Sequence, residues 1–413
     1  MAALRRIVVV GNGIAGLTAG DSLRAAGFDG DLTVIGDERH APYSRPALSK
    51  AALLDGEDMT SHHLPAPTHE ATELLGVSAS ALDVGRRVVV LDDGEEVPYD
   101  AVVIATGSRA RRLTGAGEGR DGDGELTLRT LEDAVQLRRR LADRPSVVVI
   151  GGGPLGMEVA SGCLATGCEV TLASYGRPLV DQLGTYLSDV FVAAGLRRGL
   201  TVAPTHAVGL RRAGGRSQVV LADGAVIEAD LVVTAVGDDP NLEWLATSGL
   251  LTDGRLEVDT RGRVGPGVVA AGDVATIRTR RGARRVPLWT SAIDQAKVAA
   301  AALVRGDEAP ELDLQPYFWT EQFGLSLKAS GFTPLTGDPE IVDGDPHDGR
   351  ALLRWEHADG SGTAVALNYR IPVPKLRRLG AAAPGAAPAA TRAATPAAVP
   401  AVARAAMPAA VPA

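Results

Sequence analysis

Short apolar runs alternate with longer segments of helical character along most of the chain. The first run, Ile7–Val10, has four consecutive apolar residues, which is typical of a parallel strand buried on both faces. The helical segment Leu17–Ala26 follows, and then a second apolar run, Leu32–Ile35. This order of strand, helix and strand predicts an α/β fold built on parallel sheets.

The same patterns predict the remaining elements. Strands are expected at residues 88–91, 97–104, 147–150, 169–172, 231–236 and 268–271, and helices at 131–141, from 157 onward and at 290–303. Residues 51–80 have an irregular helical pattern. After residue 312, short alternating runs at 325–329, 351–356 and 363–367 predict a small separate α/β domain that ends near residue 379.

Two segments are expected to lack regular structure. Residues 114–124 are rich in glycine and charge, which favours a flexible crossing between elements. Residues 380–413 are mostly alanine and proline with two arginines. Repeated prolines break helices and nothing in this tail can form a core, so we expect it to be disordered.

A glycine-rich turn follows the first predicted strand. Gly11, Gly13 and Gly16 stand in G-x-G-x-x-G spacing, which allows a tight turn, close approach of a pyrophosphate and close packing of the next helix. The helix N-terminus offers free N–H groups and a partial positive charge to phosphates. Asp37 and Glu38 follow the second strand, where an acid can hold a ribose hydroxyl. These features predict a dinucleotide site.

The opening pattern recurs in the middle of the chain. Gly151, Gly153 and Gly156 form a second G-x-G-x-x-G turn between a predicted strand and a helix. Two complete units of this kind indicate two dinucleotides, and the simplest pair is FAD with a nicotinamide cofactor.

The end of the second unit departs from a typical NAD site. Ala173 and Ser174 stand where such a site would place an acid, which would repel a 2′-phosphate. NADPH is therefore not excluded, and Arg177 follows closely. Alternatively, Ser174 and backbone atoms hold the ribose of NAD, although less well.

Three other stretches carry candidate ligand contacts. In residues 41–50, Arg45 and Lys50 belong to a surface loop in one interpretation, and reach a flavin or its phosphates in the other. The small residues 105–107 end a predicted strand at the edge where open α/β sheets bind ligands. Gly272 and Asp273 also follow a strand, and an acid in that place can accept a hydrogen bond from a ribityl hydroxyl.

Other clusters are given structural interpretations. The spacing of His62, His63 and His69 does not match a metal site, so they are expected to be solvated. Cys163 and Cys168 lie too far apart along a helix to share one face, and we expect buried packing rather than a redox disulfide. The basic stretch 278–285 is either a solvated surface loop or a docking patch for an acidic protein.

Composition limits the classes of protein. A length of 413 residues indicates two or three domains, and a formal charge of −8 gives no general nucleic-acid footprint. Two cysteines favour a reducing cytoplasm. We find no apolar run suited to a membrane span. Since the first strand begins almost at once after Met1, no signal peptide is expected.

Motifs spread over residues 5–379 resemble one family. They are GNGIAG, PYSRPALSK at 42–50, ATGSRARR at 105–112, LRTLEDA at 128–134, GGGPLGMEVA at 151–160, VGDDPN at 236–241, AAGDVA at 270–275 and PYFWTEQFG at 316–324. In these stretches the chain resembles FAD-dependent ferredoxin reductases of the putidaredoxin reductase type. That group includes the reductase components of aromatic-ring dioxygenases and is related to apoptosis-inducing factor.

The resemblance implies a glutathione-reductase-like α/β architecture of two Rossmann-like domains and a small C-terminal α+β interface domain. The implied FAD domain comprises residues 1–112 and 245–315, the NAD(P)H domain residues 113–244 and the C-terminal domain residues 316–379. The implied activity is hydride transfer from NAD(P)H to FAD and single-electron transfer to a [2Fe–2S] ferredoxin, which serves a cytochrome P450 or an oxygenase. We expect NADH to be slightly preferred, the chain to be a monomer or weak dimer, and no nucleic acid or membrane to be bound.

The resemblance also implies roles for individual residues. Asp37 would hold the adenosine ribose, Lys50 would lie near flavin N5 with Glu158 as its partner, and Trp319 would border the flavin ring. Asp273 would bind the ribityl or phosphate region. Together, the expected cofactor-binding residues are Gly11, Gly13, Ala15, Gly16, Asp37, Arg45, Lys50, Ala105, Thr106, Gly107, Arg129, Gly151, Gly153, Leu155, Gly156, Glu158, Ser174, Gly237, Gly272, Asp273, Trp289 and Trp319, with Lys50 and Glu158 catalytic and no metal ligand.

The chain departs from the usual family residues at three places: Ala47, the pair Pro154–Leu155 and Ser174. The last two departures bear on nicotinamide binding.

Two rival functions remain. A disulfide oxidoreductase on this fold would need a cysteine near the first helix or in residues 42–50, and none is there. A nucleotide-binding flavoprotein with slow turnover and a signalling or assembly role is the other alternative.

Overall fold

The structure, a computed structural model, describes residues 4–50, 53, 62–113, 124–279 and 281–381. Up to residue 110 it forms β1 (Arg6–Val10), α1 (Ile14–Ala25), β2 (Asp31–Gly36), β3 (Thr72–Leu75), β4 (Ala79–Asp83), β5 (Val88–Leu91), β6 (Glu96–Pro98), β7 (Ala101–Ile104) and β8 (Ser108–Ala110). Next come β9 (Glu125–Leu126), α2 (Leu131–Leu141), β10 (Ser146–Ile150), α3 (Pro154–Ala165), β11 (Glu169–Ala173), α4 (Val180–Leu183), α5 (Thr185–Arg197), β12 (Thr201–Val202), β13 (Ala207–Ala213), β14 (Arg216–Leu221), β15 (Val226–Ala229), β16 (Leu231–Thr234) and β17 (Asp238–Pro240). The rest comprises β18 (Leu256–Glu257), β19 (Arg263–Gly265), β20 (Val268–Ala270), β21 (Ala275–Thr279), β22 (Gly282–Arg284), α6 (Trp289–Arg305), β23 (Tyr317–Gln322), β24 (Leu325–Ser330), β25 (Glu340–Asp345), β26 (Arg350–Glu356), β27 (Gly362–Leu367) and α7 (Val373–Ala381).

The first sheet has the strand order β19-β20-β7-β1-β2-β3. Its central strand β1 runs parallel to β2 and β7, and its four apolar residues are buried, as the unbroken apolar run predicts. Helices α1 and α6 pack together over this sheet, where small alanines such as Ala19, Ala296 and Ala299 form the core between them.

The second sheet, in the order β12-β11-β10-β16-β9, repeats the same design. Val10 of β1 lies opposite Ile35 of β2, and Ile150 of β10 lies opposite Ala173 of β11. The glycine after each first strand donates to the backbone oxygen of the second: Gly11 to Ile35 at 2.7 Å and Gly151 to Ala173 at 2.8 Å. The two units therefore match residue by residue at their ligand-facing edges.

The C-terminal sheet is antiparallel and has the order β23-β24-β27-β26-β25. Side chains along its strands alternate between two faces, and each face packs into an apolar cluster. Leu327, Leu353 and Trp355 belong to the core that also contains Phe191 of α5, whereas Leu376 of α7 packs on the opposite face. The C-terminal domain therefore packs against the domain of the second sheet, and the two share one apolar core.

The structure corrects two predicted elements. Within residues 62–80, the helical prediction is wrong, because β3 joins the first sheet beside β2 and β4 pairs with β5. The predicted strand 97–104 is two strands in different sheets: β6 pairs with β5, and β7 pairs with β1. Most of the predicted crossing 114–124 and nearly all of the tail 380–413 lie outside the described residues. Among the residues described, no helix is both long and apolar enough to cross a membrane.

Candidate functional site

A cavity of about 390 Å³ opens at the carboxyl edge of the first sheet. Its wall combines the turns after β1, β7 and β20 with residues 40–50, the start of α3, the start of α6 and β23. Most of the expected site residues line it: Gly11, Gly13, Ala15, Asp37, Arg45, Lys50, Ala105, Thr106, Gly107, Arg129, Leu155, Glu158, Gly272, Asp273, Trp289 and Trp319.

The first glycine turn forms the floor of this cavity. Gly11 has a φ of +112°, in the region that favours glycine. A Cβ on Gly16 would clash with the carbonyl oxygen of Gly11, whereas a Cβ on Gly13 would meet no atom within 4 Å. Gly16 thus lies beneath the turn and packs the helix against it, while Gly13 faces open space. No side chain caps the N-terminus of α1, so its free N–H groups can bind an anion.

A second cavity of about 510 Å³ adjoins the first. Both are lined by Gly11, Asp37, Thr106, Arg109 and Asn241. The second also reaches the side of Trp244 and the segment 77–79 just after β3. Together the two cavities give an elongated groove across the carboxyl edge of the sheet, which fits a dinucleotide.

Sequence reasoning missed several residues of this groove. Asn12 lies between the two turn glycines, and both polar atoms of its side-chain amide are buried without a partner. Asn241 clamps the turn after β7, since its amide donates to the Thr106 oxygen at 2.9 Å. Segment 77–79 was missed because residues 51–80 were predicted to be helical. The sequence shows that Asn12 lies in the glycine motif, but it does not show the orientation of its side chain.

Arg45 is held in a partly buried network rather than on a free loop. Its guanidinium forms an ion pair with Glu38 and donates to the Tyr43 hydroxyl at 3.0 Å and the Arg129 carbonyl at 2.9 Å. Burial, together with the neighbouring Glu38 carboxylate, raises the pKa of Tyr43 well above its ordinary value. The network fixes residues 38–45 against the segment before α2.

The structure brings Lys50 and Glu158 together from segments more than a hundred residues apart. Lys50 Nζ donates to Glu158 Oε2 at 2.8 Å and to the Pro46 carbonyl at 3.1 Å. The Ser49 hydroxyl donates to the same carboxylate oxygen. The side chains are 15% and 6% exposed, so their attraction is little screened by solvent.

Asp273 is paired with Arg129 at 2.8 Å. Arg129 also donates to the Ser108 carbonyl at 2.9 Å, and its own backbone N–H donates to Asp133 at 2.7 Å. Asp133 and Thr130 form the capping box of α2. The helix start therefore positions Arg129 at the wall of the cavity.

The predicted basic loop 278–285 is largely a hairpin of β21 and β22. Arg285 turns inward, donates to the Asp273 carbonyl at 2.6 Å and pairs with Asp238. Burial by itself would raise the pKa of Asp238, but the contact with Arg285 helps to hold this pKa below its ordinary value. Arg278 and Arg284 are exposed, and Arg280 lies outside the described residues.

Aromatic side chains and a helix start close the other side of the cavity. Trp289 begins α6, and no side chain caps that helix. The rings of Tyr317 and Trp319 on β23 lie 6.0 Å apart, centroid to centroid. Apolar ring faces and free helix N–H groups at one wall suit a flat, charge-accepting ligand.

The glycines of the second turn, Gly151, Gly153 and Gly156, do not line this cavity, although Leu155 of the same motif does. Ser174 and Gly237 do not line it either, and Ser174 is packed beside Gly152.

The register of the two units locates the position equivalent to Asp37. Because Ile35 matches Ala173, Asp37 corresponds to Tyr175, one residue beyond Ser174. Tyr175 is 80% exposed and has an edge contact with His206. Arg177 forms an ion pair with Asp189.

The histidine and cysteine interpretations have mixed outcomes. His69 is buried, not solvated: only 1% of its surface is exposed, and its ring accepts from the Ala71 N–H at 3.1 Å. Among the described residues, no cluster suits a metal ion. Cys163 and Cys168 are buried free thiols, as expected. Burial raises the pKa of Cys163 to about 12, so it stays an unreactive thiol.

Comparisons with known proteins agree with this architecture. The family model of pyridine nucleotide-disulphide oxidoreductases matches residues 5–296. The chain is 34% identical over 371 residues to the ferredoxin–NAD(+) reductase subunit of the benzene 1,2-dioxygenase system of Pseudomonas putida, covering 87% of this chain and 88% of that protein. It is 30% identical over 383 residues to the ferredoxin–NAD(+) reductase component of 3-phenylpropionate/cinnamic acid dioxygenase of Photorhabdus laumondii, covering 90% and 95%. The crystal structure of the covalent putidaredoxin reductase–putidaredoxin complex matches with a TM-score of 0.81 at 27% identity, covering 91% of this chain and 93% of that chain.

Proposed function

We propose, from the premise that the chain belongs to the pyridine nucleotide-disulphide oxidoreductase family, that it is an FAD-dependent ferredoxin–NAD(P)⁺ reductase. The observation that carries the proposal is the Lys50–Glu158 pair, which joins the two nucleotide-binding units in the wall of one cavity. When bound, FAD would supply the redox chemistry of this activity, which is hydride transfer from NAD(P)H and single-electron transfer to a [2Fe–2S] ferredoxin of a P450 or dioxygenase system.

The residues of the groove fit FAD. The unpartnered amide of Asn12 and the free N–H groups of α1 would meet the pyrophosphate, and Asp37 the adenosine ribose. Segment 77–79 would border the adenine end of the groove. At the other end, Trp319 would border the flavin ring, while Asp273 would contact the ribityl chain.

Lys50 and the start of α6 would stabilise negative charge on the ring. The ammonium group is fixed by Glu158 and Pro46, so it needs little reorganisation when charge develops. Leu155 and Glu158 of α3 would border the nicotinamide, and Gly151, Gly153 and Gly156 its pyrophosphate. In the same proposal, Gly237 contributes to cofactor binding, and the FAD, NAD(P)H and C-terminal domains are divided at residues 112, 244 and 315.

We expect both nicotinamide cofactors to reduce the flavin, with NADH slightly faster than NADPH. Tyr175 matches Asp37, and Ser174 supplies no carboxylate that would repel a 2′-phosphate. Anaerobic stopped flow of the flavin-loaded protein should show rapid bleaching of its visible absorption band with either nucleotide.

The result that would contradict the reductase proposal is very slow bleaching with both nucleotides. That outcome would favour the alternative, a nucleotide-binding flavoprotein with a signalling or assembly role. Chemical reduction with dithionite is the control, since it tests the flavin independently of the nicotinamide site.

The exposed arginines of the β21–β22 hairpin would dock an acidic ferredoxin. We expect the double change Arg278→Glu with Arg284→Glu to raise the KM for ferredoxin about tenfold at low salt, and less at high salt because salt screens exposed charges. Ferredoxin-coupled cytochrome c reduction would measure this.

A matched control changes the same net charge elsewhere: Arg211→Glu with Arg212→Glu, on exposed positions of β13. An equal rise in KM in both double variants would argue against a docking patch at the hairpin. Sedimentation of the same proteins would test the proposed monomer or weak dimer.

A further inference from the structure

A buried polar chain links the Lys50–Glu158 pair to the C-terminal sheet. Thr320 on β23 donates its hydroxyl to Glu158 Oε1 at 2.6 Å, and the Gln322 amide donates to the Thr320 oxygen at 2.9 Å. Thr320 is fully buried and Gln322 is 3% exposed. Neither residue lines the cavity. The hydrogen bond of Thr320 to Glu158 connects both residues to the cavity wall.

We propose that Thr320, oriented by Gln322, is a positioning residue that sets where the Lys50 ammonium sits and how much positive potential it gives the flavin. The proposal rests on the function proposed above. It assigns a role at the reactive centre to a buried residue of the C-terminal domain, next to Trp319, which the resemblance places beside the flavin ring.

The direction of the hydrogen bonds supports this role. A hydroxyl has one proton to donate. Because Gln322 already donates to the Thr320 oxygen, the Thr320 proton is directed to Glu158. The threonine hydroxyl is thereby fixed as a donor toward the carboxylate.

The two oxygens of the Glu158 carboxylate are held from different sides. Oε2 accepts from Lys50 and Ser49, and Oε1 accepts from Thr320. The Lys50 ammonium is therefore confined to one carboxylate oxygen, and Lys50 lines the cavity. Without the threonine hydroxyl, Oε1 would be buried without this donor, which is unfavourable. The carboxylate could then rotate and draw the ammonium away from the cavity.

The expected consequence is electrostatic rather than a loss of nucleotide binding. If Lys50 moves toward Glu158, the cavity loses positive potential and negative charge on the flavin is less stabilised. Thr320→Val keeps the side-chain shape but removes the hydroxyl. We expect it to slow flavin reduction by NADH about tenfold, to shift the flavin midpoint potential to more negative values, and to leave the KM for NADH nearly unchanged.

The test compares four full-length, flavin-loaded variants with the wild type. Thr320→Ser restores the donor and should recover the rate to within about twofold. Gln322→Met removes only the orienting donor and should slow reduction less than Thr320→Val does. Thr363→Val is the matched control, because Thr363 is also fully buried in the C-terminal sheet but donates to the Phe332 carbonyl instead.

The outcomes separate this inference from the proposed function. An unchanged rate and potential in Thr320→Val, or equal changes in Thr363→Val, would overturn the positioning role. If Thr320→Val does not fold, a Gln322→Met variant with wild-type rate and potential would overturn it equally. Failure of the wild type itself to be reduced by either nucleotide would instead overturn the reductase proposal.

Discussion

Replacing Lys50 by alanine is expected to slow reduction of the flavin by NADH about a hundredfold. Lys50 lines the cavity and its ammonium group is paired with a largely buried carboxylate. A preorganised charge beside the reacting ring is worth a large factor in rate. Rapid-reaction measurement of flavin bleaching at saturating NADH would give the rate constant. Lys297→Ala, which removes an exposed lysine of α6, is the control and should leave the rate unchanged.

A slow Lys50→Ala variant has a second explanation that needs its own test. Removing one partner of a buried ion pair leaves the other charge uncompensated, and the loss of structure alone could reduce the rate. The double variant Lys50→Met with Glu158→Gln removes both charges and restores neutral packing. If Lys50 acts electrostatically, the double variant should fold stably and remain slow. Recovery of the wild-type rate in it would show that the ammonium group has no role of its own.

Local patterns were sufficient to predict the two nucleotide-binding units. The apolar runs of β1 and β10 and the glycine spacing after them are set by neighbouring residues, because a buried parallel strand and a tight turn impose their requirements over ten residues or so. The edge positions 105–107 and 272–273 followed from the same logic.

Contacts between distant segments could not be predicted in this way. Thr320 reaches Glu158 across 162 positions of the sequence, and nothing in either local pattern marks the pair. The Glu38–Tyr43–Arg45 network depends on where the segment before α2 folds back. Strand β3 and the start of β4 were mistaken for helix because their sequences, TELL and ASALD, mix polar and apolar residues without strict alternation. Tyr175 was missed because matching it to Asp37 needs the observed register.

The repeated design of the chain allows one chemical change to be made in each nucleotide site. A Cβ on Gly16 would clash with the Gly11 carbonyl, and a Cβ on Gly156 would clash in the same way with the Gly151 carbonyl. Either alanine must push its helix away from the turn that would hold a pyrophosphate. We expect Gly16→Ala to weaken FAD binding at least tenfold, so that the protein purifies largely without its yellow colour.

Gly156→Ala should have the opposite selectivity. It should keep FAD and its visible spectrum, accept electrons from dithionite, and lose at least tenfold in kcat/KM for NADH. Each variant is the control for the other, because both add one methyl group at equivalent positions. General destabilisation would lower the melting temperature of both variants alike. Loss of flavin from both variants, or from neither, would contradict the assignment of the first turn to FAD and the second to the nicotinamide cofactor. Loss of flavin from one variant and loss of NADH oxidation from the other is the result expected of a chain with two separate dinucleotide sites.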